Sequence, residues 1–595
     1  MPEIIDYQER KRRVDCAMGR IPADLVIRNG RWVSVQTGEI IPGTDIAVID
    51  GKIAFVGADA SHTIDPETKQ IDAAGKYLVP GLLDGHMHVE SGMLTVTEFV
   101  RAIIPHGTTG IFVDPHEIAN VFGLKGVRLM RDEAAEQPIH VWVQVPSCVP
   151  SAPGMETPGA TLTPADVAEA LTWDGIIGLG EVMNFPGVAN SDEKMLQEIE
   201  LTCESGKTVG GHYASPDLGK PFHGYVAGGA EDDHEGTTTE DAIQRARQGM
   251  KVMMRYGSAW HDVATQVKAV TEHGLDARNF ILCTDDSHSH TLFNEGHMDR
   301  VIRHAVEQGL SPLKAIQMAT INTAEHFGLA DRIGQIAPGR YADILLVPDL
   351  KDFSVEMVVS QGRIISQAGH TLIDLPQYSF PEWAKRSINI PHPLSASDFA
   401  IKTDKTGEVN VNVIGIIENQ APTHRIRTTM PVVNGELKPD LKRDLAKIAL
   451  VERHHGSGKI QLGMVQGFGF SRPCAVATTV AHDCHQLIVV GTDEACMAKA
   501  VNTLAECGGG QVVIIAGEVT GLVELPIGGL MSGDSGQAVA RKAANVLAGF
   551  MECGCELNNP NMQLSLLGLV VIPEIRISDM GLVDVTTMQF INLVE

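Results

Sequence analysis

Two histidines separated by one residue, His86 and His88, are the first residues of the chain whose types and spacing could bind a metal. They follow the short apolar segment 77–83. Because alternate side chains of a strand point to the same side, both imidazoles would face one way at the carboxyl end of a strand. Imidazole is a ligand for several divalent transition metals. One such pair is weak evidence, so its meaning depends on further ligands at later strand ends.

Further imidazoles and carboxylates follow later apolar segments in the same way. The complete set of candidate metal ligands is His86, His88, Glu181, His212, His234 and Asp285. Four imidazoles and two carboxylates suit two divalent cations, and the choice among Zn, Mn and Fe(II) stays open. Glu181 is placed to bridge them. Two cations that share one water lower its pKa towards neutrality and so generate hydroxide at physiological pH.

A second group of polar residues follows the same expected strands. Asp114, His116 and Glu117 come after the apolar segment 110–113, and they could line a substrate pocket, hold a further metal or cap a loop. Asp286 and the two histidines that follow it, His288 and His290, are expected to include one functional residue.

The elements that must position these residues change in style along the chain. Residues 1–76 and 330–375 contain closely spaced strands and turns, which predict a small β-sandwich. Between them, residues 77–329 alternate strands and helices, the pattern of a (β/α)8 TIM-type barrel with its active site at the carboxyl ends of the strands. We therefore expect an α/β chain in which the barrel is inserted into the sandwich.

The remainder of the chain predicts one more domain. Prolines between residues 376 and 393 indicate a linker, and residues 396–595 combine strands with Ala-rich helices, which favours an α+β domain. This domain carries the histidine pairs His454-His455 and His482-Asp-Cys-His485. These histidines could reach the mouth of the barrel, or they could be ordinary surface or buried polar residues.

Composition narrows the class of protein and its partners. With 595 residues, 44% hydrophobic and 20% charged, the sequence is typical of a soluble protein of several domains. A net charge of −27 argues against nonspecific binding of nucleic acid or anionic membranes, so we expect a small-molecule partner. The N-terminal segment lacks the apolar run of a secretory signal, and no apolar run reaches transmembrane length, which predicts a cytoplasmic protein. The ten scattered cysteines, including the close pair Cys553 and Cys555, are expected to be reduced.

Several of these motifs together resemble a known family. Across residues 23 to about 370 the chain resembles the amidohydrolase superfamily, and within it the bacterial adenine deaminase family, whose likeness continues through the C-terminal domain. The motifs that carry the resemblance are Pro80-Gly-Leu-Leu-Asp-Gly-His-Met-His-Val-Glu-Ser, Val113-Asp-Pro-His-Glu-Ile, Gly180-Glu-Val-Met-Asn, Asp233-His-Glu, Thr284-Asp-Asp-Ser-His, Ala481-His-Asp-Cys-His and Leu525-Pro-Ile-Gly-Gly-Leu-Met-Ser. In the superfamily a carbamylated lysine often bridges the metals. Glu181 in its place departs from that pattern in a way that fits the deaminase branch.

The resemblance implies hydrolytic deamination of adenine to hypoxanthine and ammonia, with two divalent metal ions (Mn, Fe(II) or Zn) in each subunit of a homo-oligomer. Asp285 would act as the general base that takes a proton from the metal-activated hydroxide, and Glu235 would be the acid that protonates a ring nitrogen. The candidate contacts to adenine are Glu90, Asp114, His116, Glu117 and Asp286.

Three other functions compete with this interpretation. A dinuclear-metal cyclic amidase or deacylase would use the same ligands, but the acidic pair Glu235 and Asp286 and the absence of a bridging lysine argue against it. A non-catalytic scaffold would be expected to lose ligands, and this sequence has the full set. The zinc deaminases of nucleic acids need a Pro-Cys-x-x-Cys motif, and Pro473-Cys474 is followed by Ala477 where the second cysteine would stand.

Overall fold

The computed structural model describes residues 6–258, 260–418 and 420–595. Its first unit is a mixed nine-stranded sheet, against which the N-terminal helix Tyr7–Ala17 packs. The strands of this sheet are Leu25–Ser34, Glu39–Ile49, Lys52–Gly57, Lys69–Asp72, Tyr77–Pro80, Ile344–Val347, Met357–Ser360, Arg363–Gln367 and His370–Thr371.

Segments from both ends of the barrel build this sheet, as the sequence predicts. Leu25 and Ile27 from the first segment share one buried core with Ile344 and Leu346 from the second, so both segments belong to one unit, which forms a single mixed sheet where the sequence predicts a sandwich. One boundary differs from the expectation. The strand Tyr77–Pro80 pairs in this sheet with both segments, so the barrel begins after Pro80 and not at residue 77.

The second unit is a closed barrel of parallel strands. Its strands are Leu82–His88, Thr108–Val113, His140–Val145, Ile176–Val182, Thr208–Gly211, Asp232–Asp233, Lys251–Arg255 and the eighth strand, formed by Phe280–Cys283 and Asp285–Asp286. The eighth strand closes the ring because Asp285 pairs with Met87 of the first strand. A backbone hydrogen bond of 3.0 Å from the amide of Glu231 to the carbonyl of Val209 links the fifth and sixth strands. The predicted barrel is therefore confirmed.

Amphipathic helices cover the outside of the barrel. The helix Glu193–Glu204 shows why they form where they do: the Asp192 carboxylate accepts a hydrogen bond from the amide of Met195 at 3.0 Å, and Met195 and Ile199, four residues apart, are buried. The helices of this unit are Val96–Ile103, His116–Phe122, Leu124–Ala135, Pro164–Leu171, Phe185–Ala189, Glu193–Glu204, Lys220–Gly228, Thr239–Arg247, Val263–Gln266, Lys268–Thr271, Ser289–Asn294, Met298–Glu307, Pro312–Met318 and Ile321–His326.

The third unit is the predicted α+β domain. Its ten-stranded sheet comprises Ile401–Lys402, Glu408–Ile416, Thr423–Val433, Glu436–Leu437, Leu445–Val451, Ile460–Gln466, Cys474–Thr478, Leu487–Gly491, Gly510–Ile515 and Glu518–Glu524. Three helices, Glu494–Cys507, Gly536–Cys553 and Pro560–Leu566, and a small sheet of Ile575–Ser578, Gly581–Asp584 and Gln589–Ile591 complete it.

This domain docks directly on the barrel. The Gln486 amide donates to the carbonyl of Thr157 at 2.6 Å, and the amide of Gly536 donates to the Glu98 carboxylate at 2.9 Å. The ten cysteines are free thiols. Within the described ranges, the structure has no helix long and apolar enough to cross a membrane.

Candidate active site

The six predicted metal ligands lie together at the carboxyl ends of the barrel strands. Because parallel strands end at the same rim, residues far apart in sequence meet there. Three overlapping groups of ligand atoms each lie within 4.8 Å of one another: His86 with His88 and Glu181, His86 with His234 and Asp285, and Glu181 with His212 and His234. Five of the six residues are buried, and His212 is partly exposed at the rim.

Glu181 stands between two sets of imidazoles, as a bridging ligand must. Its Oε1 lies 3.6 Å from Nε2 of His88, whereas its Oε2 lies 3.0 Å from Nε2 of His234 and contacts Nδ1 of His212. Ligands that share one cation at about 2.1 Å are themselves roughly 3 to 4 Å apart. Although burial opposes ionisation, the neighbouring His212 and the hydrogen bonds to Glu181 hold its pKa well below the usual range. Glu181 is therefore a carboxylate with one oxygen directed to each half of the site.

Asp285 completes the first half of the site. Its Oδ1 lies 3.2 Å from Nε2 of His88 and 3.8 Å from Nε2 of His86. Its backbone φ is +60°, a left-handed conformation that few residues other than glycine adopt. Such conformations concentrate at functional sites, where surrounding contacts must hold them in place.

The imidazole tautomers suit metal binding. Nδ1 of His88 lies 2.8 Å from the carbonyl oxygen of Asp114, which favours a proton on Nδ1 and leaves Nε2 free to bind a cation. Burial and the neighbouring histidines lower the pKa of His86 well below its usual value, so this imidazole is neutral. Its Nε2 is buried without a hydrogen-bond partner among the described residues. A bound cation would satisfy such a neutral imidazole nitrogen, which otherwise lacks a hydrogen-bond partner.

Arg255 connects the predicted base and the predicted acid. Its Nη1 lies 3.1 Å from Oδ2 of Asp285 and is also paired with Oε1 of Glu235, while its Nε donates to Asp262 at 2.9 Å. Burial opposes the ionisation of Glu235, but the charge of Arg255, followed by that of His212, lowers its pKa to about 2. Glu235 is therefore a carboxylate at neutral pH, and it can donate a proton only after it has accepted one.

Asp286 faces the mouth of the barrel with both carboxylate oxygens held in place. Its Oδ1 accepts a hydrogen bond from the Ser91 hydroxyl, and its Oδ2 accepts one from Nε1 of Trp260 at 3.1 Å. Burial opposes the ionisation of Asp286, but the neighbouring His88 and His482 and the hydrogen bond from Ser91 lower its pKa. This places a fixed carboxylate next to the metal ligands.

Two other predicted substrate contacts lie behind the site. Asp114 is fully buried, and its Oδ2 accepts a hydrogen bond from the backbone amide of Glu181 at 2.7 Å. Glu90 is buried as well, and its Oε1 accepts a hydrogen bond from the amide of Ile118 at 3.3 Å. The sequence assigns both residues to adenine, whereas these contacts favour a role in positioning the backbone that carries Glu181 and the 116–122 helix.

His116 and Glu117 face the C-terminal domain. Nδ1 of His116 lies 3.1 Å from Oε1 of Glu181, and its Nε2 lies 3.9 Å from Oδ1 of Asp483. Burial raises the pKa of Glu117 to about 8. Ligand atoms of His482 and Asp483 lie within 4.8 Å of His116, so this part of the C-terminal domain lies at the active-site end of the barrel.

The other histidines singled out in the sequence have ordinary hydrogen bonds or lie at the surface. Nε2 of His454 lies 2.7 Å from the carbonyl oxygen of Cys484, and Nε2 of His455 lies 2.9 Å from that of Pro158. Nδ1 of His485 accepts a hydrogen bond from the backbone amide of Ala481 at 3.2 Å, whereas His288 donates a hydrogen bond through its backbone amide to the Ser258 hydroxyl at 2.8 Å. His290 is exposed.

Sequence reasoning missed two residues of this site. Arg255 ends the apolar strand Lys251–Arg255, so the rule that located the other site residues, a polar side chain at the end of a barrel strand, could have found it. Trp260 gave no comparable signal, because it lies in the irregular segment after that strand.

Comparisons with known proteins agree with this arrangement. Residues 77–365 match the amidohydrolase family, and residues 420–589 match the adenine deaminase C-terminal domain. The chain is 61% identical to an adenine deaminase of Mesorhizobium japonicum over 98% of this chain and 96% of the relative. It is 59% identical to adenine deaminase 3 of Rhizobium meliloti over 97% of both chains, and 57% identical to an adenine deaminase of Ruegeria pomeroyi over 98% and 97%.

Proposed function

The chain belongs to the adenine deaminase family of amidohydrolases, and we propose that it hydrolyses adenine to hypoxanthine and ammonia. The observation that carries the proposal is the position of Glu181, with one carboxylate oxygen towards His88 and the other towards His212 and His234. That arrangement is suited to two cations at the mouth of a barrel, beside the buried acidic groups that proton transfer requires.

We further propose that two divalent cations bind here, with Mn, Fe(II) and Zn all compatible with imidazole and carboxylate ligands. His86, His88, Glu181 and Asp285 would hold one, and Glu181, His212 and His234 the other. When bound, such cations supply Lewis acidity and lower the pKa of water. The unpartnered Nε2 of His86 and the two-sided contacts of Glu181 support this assignment.

The proton transfers are assigned to Asp285 and Glu235. Asp285 accepts a proton from the attacking water as the new carbon–oxygen bond forms at the carbon that carries the amino group. Glu235, ionised in the resting site, takes this proton from Asp285 and delivers it to a ring nitrogen. The second proton of the water, now on the new hydroxyl group, is taken up by Asp285 and passed to the amino group, so that the carbon–nitrogen bond breaks, the carbonyl of hypoxanthine forms and ammonia leaves. Arg255 contacts both carboxylates, so it holds them at a fixed separation.

Asp286 is the residue that we propose to bind the purine. Its carboxylate is held by Ser91 and Trp260, and it can accept a hydrogen bond from an N–H group of adenine. The expectations of a cytoplasmic homo-oligomer that binds neither nucleic acid nor membranes stay predictions.

A substrate panel tests the proposed reaction. The purified full-length chain, loaded with Mn²⁺, is mixed separately with adenine, adenosine, cytosine and dihydrouracil, and both ammonia and ultraviolet absorbance are followed. We expect ammonia and hypoxanthine in equal amounts from adenine. Turnover of dihydrouracil without release of ammonia from adenine would support the cyclic amidase alternative and refute the proposal.

A further inference from the structure

Four polar side chains meet where the C-terminal domain covers the barrel mouth. His116 and Glu117 begin the barrel helix His116–Phe122, and His482 and Asp483 come from the loop that follows the strand Cys474–Thr478. Ligand atoms of His116, His482 and Asp483 all lie within 4.8 Å of one another. These residues are not needed for the two cations described above.

The distances within this group exclude ordinary hydrogen bonds. Nε2 of His116 lies 3.9 Å from Oδ1 of Asp483 and 3.8 Å from Oε1 of Glu117, and Nδ1 of His482 lies 3.8 Å from the same Asp483 oxygen. Hydrogen bonds of this type would be about 2.7 to 3.2 Å long. Ligands around one zinc ion, each at about 2.1 Å, are separated by roughly 3.5 Å. These separations of 3.8 to 3.9 Å are therefore close to those between ligands of one cation.

The carboxyl groups of this cluster are buried and incompletely hydrogen-bonded. Glu117 and Asp483 are each 2% exposed, and both oxygens of Glu117 and Oδ2 of Asp483 lack hydrogen-bond partners among the described residues. Buried oxygens without hydrogen-bond partners are groups that a bound cation would satisfy. His116 is itself 6% exposed.

This group adjoins the dinuclear site, and His116 belongs to the candidate ligand groups on both sides. Nδ1 of His116 is the nitrogen near Glu181, at 3.1 Å from its Oε1, whereas Nε2 on the other side of the ring faces Asp483. Nδ1 of His88 lies 3.7 Å from Oε2 of Glu117, but it lies closer, at 2.8 Å, to the carbonyl oxygen of Asp114. One imidazole ring therefore stands between two metal environments.

We propose that His116, Glu117, His482 and Asp483 bind a third divalent cation, which joins the C-terminal domain to the barrel. Two imidazoles and two carboxylates form a ligand set that zinc and related divalent ions accept. The barrel supplies only two of the four ligands, so the site is complete only when the C-terminal domain is docked. This assignment does not rest on the identity of the substrate.

Metal content tests the third site independently of activity. The full-length chain and its His482→Asn and Asp483→Asn variants are dialysed to equilibrium against the same Zn²⁺ solution, and zinc per chain is measured by elemental analysis. His424→Asn, the same change at an exposed position of the C-terminal domain, is the matched control. We expect both site variants to bind one zinc fewer than the wild type and the control. Equal zinc content in all four proteins would overturn the proposal.

A crystallographic measurement keeps the proposal testable if the variants fail to fold. Anomalous diffraction at the zinc edge from crystals of the wild-type chain grown with Zn²⁺ should show a peak among His116, Glu117, His482 and Asp483, in addition to those near Glu181. No peak at this position, with peaks present near Glu181, would contradict a third site and leave the proposed reaction unaffected.

Discussion

Nη1 of Arg255 lies 3.1 Å from Oδ2 of Asp285, which makes a buried ion pair between the ends of the seventh and eighth barrel strands. The same nitrogen is paired with Glu235, so one guanidinium contacts both residues that we assign to proton transfer. A strand-end arginine that faces inward can thus act on the reaction without being a ligand.

Replacing Arg255 should change the pH dependence of turnover. Glu235 has a pKa of about 2 because the charge of Arg255 outweighs the effect of burial. In Arg255→Gln the pKa of Glu235 rises, so Glu235 becomes protonated at a higher pH. The acidic limb of the kcat/KM profile therefore shifts to higher pH. Arg255→Lys keeps the cation and should keep the wild-type limb, apart from a lower rate caused by the lost guanidinium geometry.

The profile should be measured on variants whose circular dichroism shows a folded chain, since removing one member of a buried ion pair costs about 3 to 5 kcal/mol. An acidic limb in Arg255→Gln that coincides with that of the wild type would contradict the assigned role.

Glu181→Gln should reduce metal content as well as rate. A neutral amide at the bridging position weakens both halves of the site, because each cation loses a charged ligand. We expect less Mn²⁺ per chain by elemental analysis and a fall in kcat of about 100-fold or more. Glu198→Gln is the matched control, a buried glutamate of the barrel that does not touch the site. Full metal content in Glu181→Gln, equal to that of the control, would rule out a bridge at this residue.

Asp286→Asn should weaken the binding of adenine. Hydrogen bonds to a charged group contribute about 1.5 to 3 kcal/mol, so we expect KM to rise roughly 10- to 100-fold. Trp260→Phe removes the donor that orients Asp286 at 3.1 Å and should raise KM by a smaller factor. Steady-state kinetics with adenine provide the measurement. An unchanged KM in Asp286→Asn would show that this carboxylate does not bind the purine.

The stability of the barrel should depend on the ionisation of Glu198. This side chain is fully buried, its two oxygens lack hydrogen bonds among the described residues, and burial raises its pKa to about 8 although Nζ of Lys194 lies 3.5 Å away. Because the folded state holds the proton more tightly than the unfolded state, stability falls as the pH rises from about 4.5 to 8.

The Glu198→Gln variant lacks this titration. Its free energy of unfolding, relative to that of the wild type, should therefore increase by up to about 4 kcal/mol between pH 5 and pH 9, and its Tm should rise relative to that of the wild type over the same range. Differential scanning calorimetry of both proteins at several pH values in that range measures the difference in Tm. A constant difference in Tm at every pH would contradict the raised pKa.

Much of the site follows from local sequence because strand ends in a parallel barrel share one rim. The rule brings His86 and Asp285 together although about two hundred residues separate them. It does not reveal how Arg255 sets the charge of Glu235, because an ionisation state depends on the contacts of the folded chain. The sequence also could not predict whether His482 lies at the barrel mouth, because the docking of one domain on another leaves no periodic pattern in the sequence.

The same limit explains the difference at Asp114. Its type and its place after a strand resemble those of the proposed metal ligands, but one oxygen of its side chain accepts a hydrogen bond from the amide of Glu181. Side chains that follow a strand by one residue can face the mouth or the neighbouring backbone, and only the folded structure distinguishes the two.

The most direct measurement is the release of ammonia from adenine by the Mn²⁺-loaded full-length chain and by its Asp285→Asn variant, with metal content determined on the same samples. We predict ammonia and hypoxanthine in equal amounts from the wild type, and a loss of about 100-fold or more in the variant, as expected when a general base is removed. The asparagine oxygen should still allow the variant to retain its metal. No ammonia from the wild type, or a near-normal rate in the variant, would contradict the proposed reaction at this site.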